Sequence, residues 1–285
     1  MKCKKILTLI FMVVSGMGSA YISAQDFHCP EDTVKAMAIV RKYHNPGGDP
    51  SKVCGEIAAE FVGVDYVPVT KQDSLGIAEI RTDGFDEMSF VNMVSAIAKL
   101  STSPGNAWPK DLGMELDKLT FRRGERNGFP SRMIYAGDWI LDNKSRDNVK
   151  ELTEEYSDSF KTKSLEYASR HREEFAALKD SATYDRQKMV EFGYRTFKTP
   201  HMKRESFGWK NVAEDLRDGD LVVLMSNAPY TDVYEIGFLK KRDDGFHLIH
   251  ASEKNGKVVE ESEPILRYVK RNAKTIYGWR WLRIR

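Results

Sequence analysis

Asp83-Gly84-Phe85-Asp86-Glu87-Met88-Ser89-Phe90-Val91-Asn92-Met93-Val94-Ser95-Ala96-Ile97-Ala98-Lys99-Leu100 is the stretch whose reading decides the fold. Asp83-Gly84 is a turn signal. Apolar residues then recur at Phe90, Val91, Val94, Ile97 and Ala98, a helical stripe wide enough to face a core. Asp86 and Glu87 stand just before the stripe, where free backbone N–H groups and the helix dipole favour negative charge. Taken alone, the pattern describes an N-capped core helix.

Upstream, Thr33 to Tyr43 reads as an amphipathic helix with Val34, Met37, Ala38 and Val40 inward. Asn45-Pro46-Gly47-Gly48-Asp49-Pro50 breaks it, and Ser51 caps a second helix that ends near Gly63. Tyr66 to Thr70 is short and extended, and Ala78 to Thr82 is a possible strand feeding the central helix. Downstream, Ser101 to Pro109 is a loop. Lys144 to Thr199 is dense in Glu, Lys and Arg and reads as a helical insertion of two or three amphipathic helices. Its His171 has no partner at metal-ligand spacing and reads as a surface histidine. From Leu216 onward the chain turns to strands: Leu221-Leu224, Tyr234-Leu239, Phe246-Ser252, Lys257-Glu260 and Trp279-Ile284, with a short helix over Ile265-Val269. Helices followed by an antiparallel run make an α+β class.

Composition agrees, with 41% apolar and 30% charged residues in a chain of 285, enough to bury a sizeable core. Residues 1-24 read as a secretory signal: Lys2, Lys4 and Lys5, then the apolar run Ile6 to Val14, then a small-residue site ending at Ala24. Its removal takes three lysines and no acid, moving the formal charge from +2 to −1. No dense basic face is left for nucleic acid, and the apolar run is too short for a comfortable membrane span. Removal also leaves two cysteines, Cys29 and Cys54, which in an exported chain most simply form one disulfide. Such a bridge would contribute about 3 kcal/mol. Cys54 has no base at a recognisable spacing, which favours a tether over a displaced nucleophile.

Asp86-Glu87-Met88-Ser89-Phe90-Val91-Asn92 resembles the Asp-Cys-Thr-Thr-Phe-Val-Glu signature of NlpC-type, papain-like cysteine amidases. These are N-acetylmuramoyl-L-alanine amidase-like hydrolases of the bacterial cell wall. In that signature the Cys is the nucleophile, and its helix N-terminus favours thiolate; here the position is Glu87. The family's base, the His of Ser-His-Val-Gly, corresponds to Glu235 in Tyr234-Glu235-Ile236-Gly237, and its orienting group to His250 in His250-Ala251-Ser252. Ser131-Arg132-Met133-Ile134-Tyr135 with Asp138-Trp139 resembles the Ser-Arg-Leu-His-Tyr...Asp-Trp element, with Ile134 in place of His. Phe61 to Thr70 resembles the segment that walls the cleft. The resemblance spans roughly Phe61 to the C-terminus and implies a papain-like NlpC-type core. It implies one domain over 25-285: a helical part at 30-100, the insertion at 144-199 and a sheet at 216-285.

A cysteine amidase needs a nucleophile, a base and a group orienting that base. Two of these three roles are vacated, so the catalytic positions Glu87, Glu235 and His250 read as degenerate. Tyr66, Arg132, Tyr135, Asp138 and Trp139 are residue types that orient a sugar or peptide, and equally ones that hold a loop by an Arg–Asp pair and a buried Trp. The expected function is binding of a peptidoglycan fragment or an envelope protein, in the periplasm or secreted, with no cofactor and no stable membrane anchor after signal cleavage. The alternative is an active muropeptide hydrolase whose Glu/Glu/His set is repurposed, with or without a metal. Glu87 as a simple cap and Glu235 as an exposed strand residue is the plain reading.

Overall fold

In the computed structural model of this chain, residues 30–69 and 80–285 are described. The expected signal segment, Cys29 and the start of the strand expected from Ala78 lie outside them. Ten α-helices occur among the described residues: α1 (Pro30–Lys42), α2 (Ser51–Ala59), α3 (Glu87–Thr102), α4 (Pro109–Thr120), α5 (Ala136–Ser145), α6 (Thr153–Tyr156), α7 (Tyr167–Arg170), α8 (Ser181–Phe192), α9 (Lys210–Asp215) and α10 (Ile265–Arg271). The strands are β1 (Asp65–Tyr66), β2 (Gly84–Phe85), β3 (Val149–Glu151), β4 (Phe160–Lys163), β5 (Phe197–Pro200), β6 (Met202–Lys203), β7 (Leu221–Ser226), β8 (Val233–Arg242), β9 (Gly245–Ser252), β10 (Lys257–Glu260) and β11 (Ile276–Ile284). The mixed α+β class expected from the sequence is what forms.

Nine strands make one sheet in the order β2-β1-β10-β9-β8-β7-β11-β3, with β6 on the side of β11. Among the described strands only β1 and β2 pair in parallel. Its centre is covered on both faces, which is why β7 is a continuous apolar run with every residue buried. Leu221, Val223 and Met225 point with Ile236, Phe238, Ile249 and Ala251 into the core shared with α1 to α4. Val222 and Leu224 point the other way, with Leu239, Leu248, Trp279 and Trp281, against α9 and α10.

The helix read first from the sequence is α3, and it is more enclosed than its stripe implies. Twelve of its sixteen residues are buried, so it has no solvent face along most of its length. Two of its buried hydroxyls are satisfied within the helix, where Ser101 and Thr102 donate to the carbonyls of Ile97 (2.7 Å) and Ala98 (3.0 Å). Edge-to-face rings run from Phe61 to Phe85, Phe90 and Phe238 at centroid distances of 5.1, 5.9 and 6.2 Å, tying the region after α2 through β2 and α3 to β8. Where β7 begins, Gly219 (φ +84°) allows α2 to approach: a Cβ there would stand 2.0 Å from the Ser51 carbonyl oxygen.

Two expectations need correcting. The charged stretch 144-199 is not simply helical. Its β3 joins the main sheet at β11, and β4 pairs antiparallel with β5 in a separate ribbon. Alternation in Phe160-Lys161-Thr162-Lys163 is a strand signal hidden by the surrounding charge. The segment still closes over a small core of its own, Phe129, Ala168, Phe175, Ala177 and Leu178. The expected disulfide is not among the bonds the structure describes. Cys54 is a free, fully buried thiol that donates to the Pro50 carbonyl at 3.3 Å. Burial pushes its pKa far up, so it is inert.

No helix among the described residues is long and apolar enough to cross a membrane. Trp139 joins α5 to α3: it is fully buried, and its Nε1 donates to Asn92 Oδ1 at 2.8 Å. Trp139→Ala is expected to cost about 3–5 kcal/mol of unfolding free energy, read from the shift in a urea denaturation midpoint; a loss below 1 kcal/mol would contradict this packing.

Candidate active site

Asp86 caps α3 through a capping box: its Oδ1 accepts from Ser89 N at 2.6 Å, and Ser89 Oγ accepts from Asp86 N at 2.9 Å. Glu87 is thereby the first residue of the helix, set at its N-terminus directly after the cap. Across from it, β1 supplies Tyr66, whose hydroxyl lies 3.0 Å from both Oε1 and Oε2 of Glu87. Burial, with the neighbouring charges of Asp86 and Glu235, pushes the Glu87 carboxyl up to about 8. At neutral pH it is mostly protonated. Tyr66 is likewise pushed up, by burial and then by Glu87, and stays a phenol.

Glu235 on β8 and His250 on β9 do come together. His250 Nδ1 lies 2.7 Å from Glu235 Oε2, and its Nε2 lies 3.0 Å from Glu261 Oε1. His250 is fully buried, which alone would lower its pKa, but the hydrogen bonds and charges of both glutamates bring it up to about 9. It is an imidazolium with both nitrogens occupied. The strand alternation also matters. Ile236, Phe238, Ile249 and Ala251 face α3, so Glu235 and His250 project to the opposite face, where the Tyr268 ring of α10 lies 6.2 Å from the His250 ring. Glu87 makes no described hydrogen bond to either residue; it meets Glu235 through charge.

The five expected ligand-binding residues separate. Tyr66 is half-buried beside Glu87, and Arg132 is buried with Nη2 3.8 Å from Asp86 Oδ2. The other three are ties within the protein, a correction to their expected role. The Tyr135 hydroxyl donates to Glu191 at 2.7 Å and accepts from Ala168 N at 3.0 Å, holding α5 to α7 and α8. Asp138 pairs with Arg122 and accepts from the Tyr194 hydroxyl at 2.5 Å. Trp139 has no exposed surface on which a ligand could stack. A metal at the Glu/Glu/His set is also not supported, because no group of His, Cys, Asp and Glu among the described residues has the arrangement to hold one. Both imidazole nitrogens are already engaged. Glu261 was absent from the sequence reading; no spacing rule links it to His250, since a turn and β10 separate them.

With this geometry in hand, the family assignment is direct: the profile of the AmiA-like, N-acetylmuramoyl-L-alanine amidase-like family matches residues 56–276. The chain belongs to the AmiA-like family. It is therefore a member of a family of amidase-like cell-wall hydrolases. Solved structures agree on the fold. An N-acetylmuramoyl-L-alanine amidase from Bacteroides uniformis superposes with a TM-score of 0.73 at 23% identity, covering 84% of this chain and 100% of the other. A putative xylanase from Bacteroides fragilis gives 0.71 at 25% identity, covering 80% and 100%. A protein from Legionella pneumophila gives 0.64 at 18%, covering 89% and 96%. No curated protein matches the chain.

The two raised pKa values set a pH dependence. His250, near 6.5 when unfolded and about 9 when folded, contributes stability that is complete below about pH 6.5 and lost as pH rises through 9. Glu87, near 4.5 unfolded and about 8 folded, also binds its proton more tightly in the fold, so stability falls as pH rises from about 4.5 towards 8. The urea midpoint should therefore fall steadily from pH 5 to pH 9, with a loss of unfolding free energy on the order of a few kcal/mol. Glu87→Gln should flatten the part below pH 8. A wild-type midpoint that is constant or rising over this range would contradict the assignment.

Proposed function

We propose that this AmiA-like protein has an NlpC-type, papain-like core with a degenerate catalytic site, and that it binds peptidoglycan fragments or an envelope partner after export. The observation that carries this reading is the state of the site: a protonated carboxyl where a thiolate is needed, and an imidazolium clamped by two glutamates. Thiol hydrolysis requires a nucleophile and a base able to take its proton. Glu87 offers no sulfur, Glu235 is engaged by His250, and His250 already carries its proton. Cys54 is sealed inside α2. Tyr66 and Arg132 remain beside the helix N-terminus as groups that could orient a peptide or sugar. Export to the periplasm or beyond follows from the family's cell-wall target and from the basic and apolar pattern of residues 1-24.

One observation favours a second reading, an active hydrolase of altered chemistry. A carboxyl pushed up to about 8 is a proton donor at neutral pH, and Glu235 is a second carboxylate whose charge reaches it. Against this, Glu235 already accepts from an imidazolium, which weakens it as a base.

Purified protein is expected to bind muropeptides without cleaving them, and Tyr66→Ala to weaken binding about tenfold, both measured by calorimetry with product analysis. Absence of binding to muropeptides and to every envelope partner tested would end the first reading. Cleavage that Glu235→Gln abolishes would replace it with the second.

A further inference from the structure

A groove of about 470 Å³ lies between the loop at 122–131 and α8. Arg123, Glu125, Pro130, Asp185, Arg186 and Met189 line it, and it shares no residue with the site around Glu87. Three features distinguish it from ordinary surface. Arg123 has a left-handed backbone (φ 61°, ψ 10°), a conformation that costs a non-glycine residue free energy and that Asn or Gly would adopt more easily. Asp142 Oδ1 holds the strained residue in place by accepting from its N–H at 2.9 Å.

The Arg123 guanidinium has no hydrogen-bond or ion-pair partner among the described residues, unlike its neighbour Arg122, which is spent on Asp138 and the Pro130 carbonyl. Third, Met189 is 72% exposed on the wall formed by α8, an apolar surface between charged groups. Arg186 keeps most of its donors free, with one bond to the Asn127 carbonyl at 2.9 Å. Glu125 and Asp185 have no described side-chain partners.

The groove thus presents two available guanidinium groups and two available carboxylates beside the apolar surface of Met189. A simple anion would be repelled by the acids, and a simple cation by the arginines. A molecule carrying both charges on a partly apolar frame satisfies all four. We propose that this groove is a second binding site, taking a short zwitterionic peptide with its carboxylates on Arg123 and Arg186 and its ammonium group towards Asp185 or Glu125. The site does not depend on the reading of the Glu87 cleft.

The probe is the tripeptide Ala-Glu-Lys, titrated into the ¹⁵N-labelled protein, with acetyl-Ala-Gln-Ala-amide as the uncharged control. The charged peptide should move the amide signals of Ser131, Asp185 and Met189, and the control should not. Arg123→Asn should weaken binding about three- to tenfold while raising the denaturation midpoint, because Asn tolerates the left-handed backbone. Should that variant fail to fold, Arg186→Ser carries the same binding outcome. Wild-type protein that shows no shifts in the groove, or a variant that loses less than threefold, overturns the proposal.

Discussion

A helix with no solvent face has to be walled on every side, and that constraint shapes the N-terminal half of this protein. Along α3, α1, α2 and α4 pack from one direction and β8 and β9 from the other, with the ring series Phe61, Phe85, Phe90 and Phe238 filling the joint. Its first turn escapes full enclosure, since Glu87, Met88 and Ser89 are part-buried, and beyond it only Lys99 is not sealed. The helix dipole and the free N–H groups of that turn are thereby concentrated at one opening. In a thiol enzyme this opening would stabilise a thiolate. Here burial dominates and the carboxyl at the same position keeps its proton.

The sheet carries a second buried ionisable group, His250, held between two glutamates. An imidazole must be free at one nitrogen to act as a base. His250 has a glutamate at each, and the Arg271 guanidinium of α10 stands 3.7 Å from the second of these, Glu261. The result is a buried strut joining β8, β9 and the segment after β10. Such a strut contributes to stability while its proton is present, and it cannot at the same time accept one from a nucleophile. Burial at Glu87 and the two glutamates on His250 therefore both favour the protonated state of the group they act on.

The insertion adds a third structural theme. Its helices are tied to α5 through Tyr135 and Glu191 and through Asp138 and Tyr194, so residues that look like ligand contacts in the sequence serve to seat the insertion. Once they are used this way, the available charge lies elsewhere, at Arg123, Arg186, Glu125 and Asp185. Strain at Arg123 is maintained by Asp142, one turn from the end of α5.

Local sequence determined much of the framework. Periodicity, the Asp86 cap and the Asp83-Gly84 turn specified α3, because helix formation is decided within a few residues. Alternation and turn residues located β7 to β11 for the same reason. The ordered motifs also singled out Glu235 and His250, which the fold brings to 2.7 Å from each other. Other features were settled only by tertiary structure. Whether Trp139, Tyr135 and Asp138 face a ligand or the core depends on what packs against α5, and the four-residue strands of the ribbon depend on each other across more than thirty intervening residues. The protonation of Glu87 and the clamp on His250 depend on burial and on a partner, Glu261, whose position along the chain carries no signal. A one-dimensional pattern records which groups are present; desolvation and contact distance, which decide what those groups do, exist only after the chain has folded.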